Sequence, residues 1–259
     1  MNAPEKLMGM FQRKMLGIKA RISPAGFGVT VVVTSCDRHV LLDRTLSSFF
    51  KYNTFPIARV LIVEDGPRPA ENLVRKYNSN RIDWMATGRR IGQIAAIDYA
   101  YSRVKTPYIF HLEDDWEFYR SGFIEKSMQL LKLQPKCLQV WLRALNDTNE
   151  HPCEPQVYDS SGVCWQRLIL DFQKGKWHGF SLNPGLRRLT EYIATGGFGS
   201  LTSFDFHDPW KAEIAIGRFY RNKGYFAAIL SDQDGRGYVR HTGDDLHTLP
   251  PSEMAAGLS

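Results

Sequence analysis

The sequence predicts an α/β protein in which helices cover both faces of a mostly parallel β-sheet. Short apolar runs typical of buried strands alternate with segments whose apolar residues recur at helical spacing. Three of these runs end in hydroxyl or acidic residues, and ligands bind at the carboxyl ends of the strands in such sheets. The 259 residues are enough for one large domain with a full-sized core.

The first half of the chain contains the alternation of strands and helices. Residues 29–33, 60–63, 82–85 and 108–112 are the strand-like runs, and the first of them is continuously β-branched. Three helices are predicted between these runs from apolar residues at helical spacing, namely Leu42, Leu46, Phe49 and Phe50, then Leu73, Val74 and Tyr77, then Ile94, Ile97, Tyr101 and Val104.

The second half is less regular, and no sharp domain boundary separates it from the first. Residues 123–133 predict an amphipathic helix that Pro135 stops, residues 210–220 a second helix, and residues 225–230 a strand. Residues 146–163 are polar and predict a loop. We therefore expect a single domain with an irregular second half.

The composition narrows the classes of function. A net charge of +6 and a pI of about 9.1 suit polyanionic ligands such as nucleotide phosphates. Lys and Arg do not form a stripe interleaved with aromatic residues, which argues against nucleic acid. The four cysteines lack zinc-like spacing and are expected to be free thiols. No apolar run reaches the length of a membrane span or resembles a signal-peptide core, so a cytoplasmic protein is expected.

Residues 1–27 are predicted to be a basic N-terminal helix or leader. Four apolar residues between positions 8 and 18 share one helical face, with Lys and Arg around them. This pattern is typical of a peripheral contact with an anionic membrane surface. It is equally typical of a helix that packs on the protein body.

Three successive carboxylates, Glu113, Asp114 and Asp115, follow the fourth strand. Adjacent acids at a strand end repel one another and are costly to bury unless a cation joins them. A divalent metal beside a phosphate-bearing ligand fits this arrangement, since hard cations take oxygen ligands. A solvated acidic turn is the alternative.

Two other strand ends carry polar residues that would lie on the same edge of a parallel sheet. The first strand continues into the segment Thr34-Ser35-Cys36-Asp37-Arg38, and the second ends in Glu64-Asp65. Hydroxyl and carboxylate groups suit a ribose or a base edge. Each of these residue types also favours the N-cap of the helix that follows, but three such ends in sequence order favour a ligand site.

Three segments in this order resemble the nucleotide-sugar-binding half of a GT-A-fold glycosyltransferase close to family 2. They are VTVVVTSCDR, RVLIVEDGP and GRRIGQIAAIDYAYSRVKTPYIFHLEDDWEF, and the similarity spans residues 28–120. The resemblance implies a Rossmann-like GT-A domain in which residues 121–259 form the acceptor-binding half.

By this resemblance, the strand ends hold the nucleotide. Thr34 and Asp65 match positions that contact the nucleoside, and Arg89 or Arg90 lies where a basic side chain approaches the diphosphate. UDP is the commonest carrier in the family and is the expected one here.

The resemblance also implies a divalent metal, Mn²⁺ or Mg²⁺. The acid triplet stands in place of the metal-binding DxD-type motif, and Asp115 is expected to bind the metal directly. Asp114 is expected to contact the ribose, or the metal through water. His241 lies in a segment that resembles one that closes over the diphosphate and adds a metal ligand. A structural histidine is the alternative at this position.

Glu213 matches the acidic helix start whose carboxylate is the general base in inverting members of the family. A glutamate near a helix N-terminus is also stabilised by the helix dipole without any catalytic role. Glu191, Asp205 and Asp208 are alternative bases.

Three further features of the second half and the acid segment have less specific interpretations. Arg187 or its neighbour Arg188 is expected on phosphate, with an ordinary surface loop as the alternative. Trp116 suits stacking on a sugar, or the core. The glycine-rich segment 196–200 lacks the spacing of a phosphate-binding loop and is expected to be a flexible lid on the acceptor side.

The resemblance thus implies metal-dependent transfer of a sugar from a nucleotide-sugar to the hydroxyl of a carbohydrate, glycolipid or other acceptor, with inversion. A nucleotidyltransferase is one alternative, but such enzymes carry a glycine-rich loop after the first strand, where this chain has TSCDRH. A non-catalytic module that binds a sugar or a protein is the other. The acid triplet and the candidate base argue against it.

Overall fold

The computed structural model describes residues 28–148, 151–160, 162–169, 179–202, 209–231 and 234–243. The predicted N-terminal helix, Asp205 and Asp208 lie outside the described residues.

Within the described residues, nine strands form one mixed sheet in the order β3-β2-β1-β4-β9-β6-β10-β8-β7. Its first four strands are parallel to one another, and β9 runs antiparallel to both β4 and β6. The strands are β1 (Val29–Ser35), β2 (Arg59–Glu64), β3 (Ile82–Ala86), β4 (Tyr108–Glu113), β6 (Cys137–Trp141), β7 (Val157–Tyr158), β8 (Cys164–Arg167), β9 (Gly185–Arg188) and β10 (Phe226–Leu230).

Two short strands form a separate ribbon beside the main sheet. β5 (Trp116–Phe118) follows the acid triplet and pairs antiparallel with β11 (Val239–His241). The ribbon brings residue 241 next to residue 116, across more than 120 residues of sequence.

Helices cover both faces of the sheet, as the sequence predicted. Leu46 of α1 and Ile124 of α4 pack against Val31 and Val33 on one face. Residues of α3, α5 and α6 pack on the opposite face, around Val32. The helices are α1 (His39–Tyr52), α2 (Glu71–Lys76), α3 (Gln93–Tyr101), α4 (Phe123–Leu133), α5 (Leu189–Ile193) and α6 (Pro209–Arg221).

The α/β fold class is confirmed, and the second half of the chain is more closely built into the sheet than its sequence indicates. The sequence did not predict the strands β6 to β9 of the main sheet, because short strands of mixed composition carry little periodicity. Strand β7 lies within residues 146–163, which were predicted to be a loop. Both halves share one continuous sheet, which explains the missing domain boundary. None of the described helices is long and apolar enough to cross a membrane.

The glycine-rich segment is anchored rather than free, contrary to the lid prediction. The Asp98 carboxylate accepts hydrogen bonds from the backbone N–H groups of Phe198 (2.9 Å) and Gly199 (2.8 Å) and from the Tyr192 hydroxyl (2.8 Å). Residues Phe198–Ser200 form a 3₁₀ turn, and the Phe198 side chain is buried. Gly197, at φ 104°, lies against Asp98, so the segment packs on α3.

Candidate active site

The carboxyl ends of β1, β2 and β4 lie side by side at one edge of the sheet, as the sequence predicted. Thr34 lies opposite Glu113 in the parallel register, and Ser35 lies opposite Glu64. Thr34 is buried at the end of its strand, with 7% of its surface exposed. The three polar strand ends therefore meet in one place.

The buried Asp114 carboxylate contacts Cys36 and Arg38, which follow β1 in the chain. It is fully buried and forms an ion pair with Arg38, whose Nε lies 3.3 Å from Asp114 Oδ2. Burial raises the pKa of Asp114 to about 6, although the positive charge of Arg38 opposes the rise. The carboxylate that was expected to contact the ribose, or a metal through water, faces Arg38 and the Cys36 N–H group in this structure.

Asp115 has one carboxylate oxygen engaged and the other unengaged. Oδ2 lies 2.9 Å from Arg38 Nη1 and 3.3 Å from His241 Nε2. Burial opposes its ionisation, but the hydrogen bond from His241 and the charge of Arg38 outweigh burial and lower its pKa. Oδ1 is buried and has no hydrogen-bond partner among the described residues. A buried anionic oxygen without a partner suits an additional cation.

The segment 241–243 closes over Asp115. Thr242 donates to the Asp115 main-chain carbonyl from both its N–H (2.8 Å) and its hydroxyl (3.0 Å). A Cβ on Gly243 would lie only 2.8 Å from the Asp115 Cβ, so this close approach requires glycine. The His241 and Trp116 rings pack with their centroids 5.0 Å apart. Trp116 itself is buried, as its core interpretation required.

The residues at this edge fit a divalent ion that is bound jointly by the protein and by the phosphates of a substrate. No group of three or more His, Cys, Asp or Glu side chains in the described part of the chain is arranged to hold a metal alone. Mg²⁺, however, is usually bound through one or two carboxylates plus substrate phosphates. Asp115 Oδ1, with His241 beside it, matches that incomplete set of ligands.

Glu113 connects the acid edge with α6. Its carboxylate accepts a hydrogen bond from Gln93 Nε2 at the start of α3. Burial and then the negative charges of Asp115 and Glu213 raise its pKa to about 8. The acid triplet and Glu213 therefore share one electrostatic environment.

Glu213 lies in the first half of α6, and two hydrogen-bond donors hold its carboxylate. Its Oε1 accepts a hydrogen bond from the Leu182 N–H at 2.7 Å and another from the Ser181 hydroxyl at 3.2 Å. Burial raises its pKa to about 7, although these two hydrogen bonds and the charge of Arg187 oppose the rise. A carboxyl group with such a pKa can exchange a proton near neutral pH.

Of the alternative bases, only Glu191 lies in the described residues. Its carboxylate accepts a hydrogen bond from the Tyr225 hydroxyl, and its backbone carbonyl accepts one from the Tyr220 hydroxyl (3.0 Å). The Glu191 carboxylate is therefore held by Tyr225, whereas Glu213 acts electrostatically on Glu113 of the acid triplet.

Asp65 fixes the loop that leads into α3. Its carboxylate accepts hydrogen bonds from the N–H groups of Ile91 (2.8 Å) and Gly92 (2.9 Å) and from the Thr87 hydroxyl (3.0 Å). A carboxylate has about four lone-pair sites, so Asp65 keeps capacity for one more donor. The nearby Glu64 accepts a hydrogen bond from the Asp37 N–H at 2.7 Å.

A cleft of about 770 Å³ opens beside these strand ends. Arg90 lines it, and its Nε donates to Cys36 Sγ at 2.8 Å. Arg89 has an exposed side chain and lies next to this wall of the cleft in sequence. The other lining residues include Cys36, Asp37, His39, Glu64, Asp65, Arg68 and Asn72. The size suits a small-molecule ligand.

Arg187, which was predicted to contact phosphate, lies in the interior and is not among the residues that line the cleft. Only 3% of its surface is exposed, and its Nη2 donates to the carbonyls of Ser181 (2.7 Å) and Asn183 (3.3 Å). Arg188 donates to the carbonyls of Cys137 (2.9 Å) and Gln134 (3.3 Å), near the end of α4. Both guanidinium groups therefore donate hydrogen bonds to main-chain carbonyls.

Sequence reasoning missed the partners of the acids. Arg38 was part of a recognised segment but was given no role, although a cation is what three adjacent acids need. Ser181 and Leu182, which hold Glu213, carried no signal because a main-chain donor has no sequence signature.

Comparison with known proteins agrees with this architecture. The model of Glycosyl transferase family 2 matches residues 30–181. The fold is similar to crystal structures of S. aureus TarS 1–349 and of S. aureus TarS, each with a TM-score of 0.55 and 14% identity. These alignments cover 84% and 83% of this chain, but only 61% and 37% of the respective TarS chains. No curated protein matches the sequence. Because the family model matches more than half of the chain, the protein belongs to glycosyl transferase family 2.

Proposed function

We propose that the protein transfers a sugar from a nucleotide-sugar, with a UDP-sugar as the expected donor, to an acceptor hydroxyl with inversion at the anomeric carbon. The observation that carries the proposal is that Glu213, from the second half of the chain, acts electrostatically on Glu113 of the acid triplet, from the first half. A proton acceptor beside a buried acid edge is what the attack of a hydroxyl on a phosphate-activated sugar requires.

The donor nucleotide would occupy the cleft beside β1 and β2. Arg90 lines this cleft and supplies positive charge for the diphosphate. Asp65 retains acceptor capacity for a base N–H or a ribose hydroxyl. Thr34 and Arg89 are assigned to the same nucleotide site by their positions at the strand end and beside the cleft.

Asp115 and His241 would hold a divalent ion, Mn²⁺ or Mg²⁺, together with the diphosphate. Such an ion, when bound, neutralises charge on the departing nucleoside diphosphate. Asp115 supplies its unengaged Oδ1, and the 241–243 segment covers the carboxylate from the other side. Release of Oδ2 from Arg38 would increase the acceptor capacity of Asp115 further.

Glu213 would act as the base in the transfer step. Its carboxylate takes the proton of the acceptor hydroxyl while that oxygen attacks the anomeric carbon. The bond from this carbon to the phosphate oxygen breaks, and the nucleoside diphosphate leaves with the bonding electrons. The two donors on Oε1 orient the carboxylate for this proton transfer.

The donor site is tested by thermal unfolding against a panel of nucleoside diphosphates, each with and without Mn²⁺. A ligand that binds only the folded state raises the melting temperature, by an amount that grows with its concentration above Kd. We expect a rise with one nucleotide and only when Mn²⁺ is present. The absence of a rise with every nucleotide would contradict the proposal and favour a non-catalytic module.

The pH dependence of turnover tests the base. Glu213 must be ionised to accept a proton, and its pKa is about 7. We therefore expect the rate of transfer, or of slow donor hydrolysis, to fall about tenfold per pH unit below pH 7 and to level off above it. An acid limb near the ordinary glutamate pKa of about 4.3 would count against Glu213.

A further inference from the structure

We propose that Arg187 is a positioning residue for Glu213, which holds the segment that orients the carboxylate and supplies a buried positive charge behind it. This inference rests on the proposed function, because it takes Glu213 to be the base. Arg187 touches neither the cleft residues nor the acid triplet in the hydrogen bonds it forms.

The geometry links the two side chains through three residues of main chain. Arg187 Nη2 donates to the carbonyls of Ser181 and Asn183, at 2.7 and 3.3 Å. The same short segment supplies both donors to Glu213 Oε1, from the Ser181 hydroxyl and the Leu182 N–H. One guanidinium group therefore fixes the main-chain segment 181–183, which supplies the donors to the Glu213 carboxylate.

Arg187 lies in the interior of the fold. Arg187 is on β9, where it lies opposite Ile109 of β4 and Gln139 of β6. Its guanidinium carbon lies 5.2 Å from the centre of the Phe180 ring. A cation in such surroundings is costly unless charge or hydrogen bonds offset its desolvation, so its presence calls for a function.

The charge of Arg187 has no direct counter-ion in the described residues. It forms no ion pair there. Its charge also acts on the hydroxyls of Tyr101 and Tyr220, but burial raises the pKa of both groups, so they stay neutral near pH 7. His111, a buried neighbour in the sheet, adds no charge, because burial and then the charge of Arg187 keep its pKa well below the usual value. Of these groups, Glu213 is the one that gains a negative charge near neutral pH.

Two other ionisable groups act at this place. Glu113 on β4 is the acidic neighbour of Glu213, and burial and the nearby acids raise its pKa to about 8, so it repels Glu213 only when it is itself ionised. Arg143, which follows β6, is the other cation that acts on Glu213, but it forms an ion pair with Asp147 at 2.7 Å. Removing Arg187 thus removes the cation that has no ion-pair partner in the described residues and leaves Arg143, already paired with Asp147, as the other positive charge acting on Glu213.

The test compares Arg187→Gln, which loses the charge but keeps a donor for a carbonyl, with Arg187→Lys, which keeps the charge. Arg188→Gln is the matched control, because Arg188 also donates to main-chain carbonyls, but these carbonyls lie near the end of α4 and not in the segment that holds Glu213. The titration of Glu213 is followed in the full chain by NMR with ¹³C-labelled glutamate, and its signal is assigned by its loss in Glu213→Gln. The pH profile of turnover and the donor KM are measured on the same variants.

We expect the titration midpoint of Glu213 and the acid limb of turnover to move up by about one pH unit or more in Arg187→Gln. Arg187→Lys should restore most of this shift, and Arg188→Gln should leave the midpoint unchanged even if it unfolds more easily. The donor KM should stay constant in all three variants. An unmoved midpoint in Arg187→Gln, or an equal shift in Arg188→Gln, overturns the inference.

The two proposals can fail separately. If Arg187→Gln shows no midpoint shift while Glu213→Gln still abolishes turnover, the role of Arg187 is rejected and the proposed function is not. A wild-type protein without turnover or donor binding rejects the proposed function, whereas the NMR midpoint still reports whether Arg187 acts on Glu213. If Arg187→Gln does not fold, the midpoint in Arg187→Met gives the same comparison.

Discussion

Glu213→Gln is expected to abolish sugar transfer while leaving the donor bound. The amide is close to isosteric with the carboxyl group and can still accept from the Leu182 N–H, so the fold of the segment is retained. It cannot take a proton from the acceptor hydroxyl. Because general bases contribute typically about 10²- to 10⁴-fold, we expect kcat to fall by at least ~100-fold. Steady-state kinetics, with the thermal shift by nucleotide and Mn²⁺ as the binding readout, measure the two effects separately.

Glu191→Gln is the matched control for this prediction. Glu191 precedes Glu213 on a neighbouring helix of the same sheet face and was an alternative base, but its carboxylate binds the Tyr225 hydroxyl. Turnover near that of the wild type is expected for Glu191→Gln. Normal turnover in Glu213→Gln would reject the base assignment, and a nucleotide-dependent thermal shift lost in that variant would indicate a binding role instead.

Asp115→Asn is expected to remove the dependence of donor binding on the metal. The substitution leaves a neutral oxygen in place of the buried carboxylate oxygen that has no partner in the described part of the chain. The amide oxygen can still coordinate a hard cation, but it lacks the negative charge of the carboxylate and binds the cation more weakly. Even side chains that only orient a metal ligand contribute about 10- to 100-fold to metal affinity, so we expect the metal-dependent affinity for nucleotide to fall by more than ~100-fold. Calorimetric titration of nucleotide with and without Mn²⁺ measures this change.

Asp114→Asn is the control, because it changes the adjacent acid that the structure places on Arg38. Its expected effect is a lower melting temperature, since a buried ion pair loses one partner, together with a retained response to metal. The reverse result, with metal dependence lost in Asp114→Asn and kept in Asp115→Asn, would exchange the roles of the two acids.

The sequence by itself determined the α/β architecture of the first half and the edge of the sheet where the polar residues meet. Continuously β-branched runs such as residues 29–33 are local signals of buried strands, and their alternation with helical periods leaves few topologies. The acid triplet and Asp65 follow such strands, so their location at one edge required only that the sheet be parallel.

The tertiary structure alone decided what each side chain at that edge does. Asp114 and Asp115 are neighbours in sequence, and both pair with Arg38, which follows β1. Only Asp115 also contacts His241, and its Oδ1 has no partner among the described residues. Arg187 points inward because β9 runs antiparallel between β4 and β6 and both of its faces are covered. Period and propensity act over a few residues, whereas charge pairing and burial depend on strands that meet only after folding.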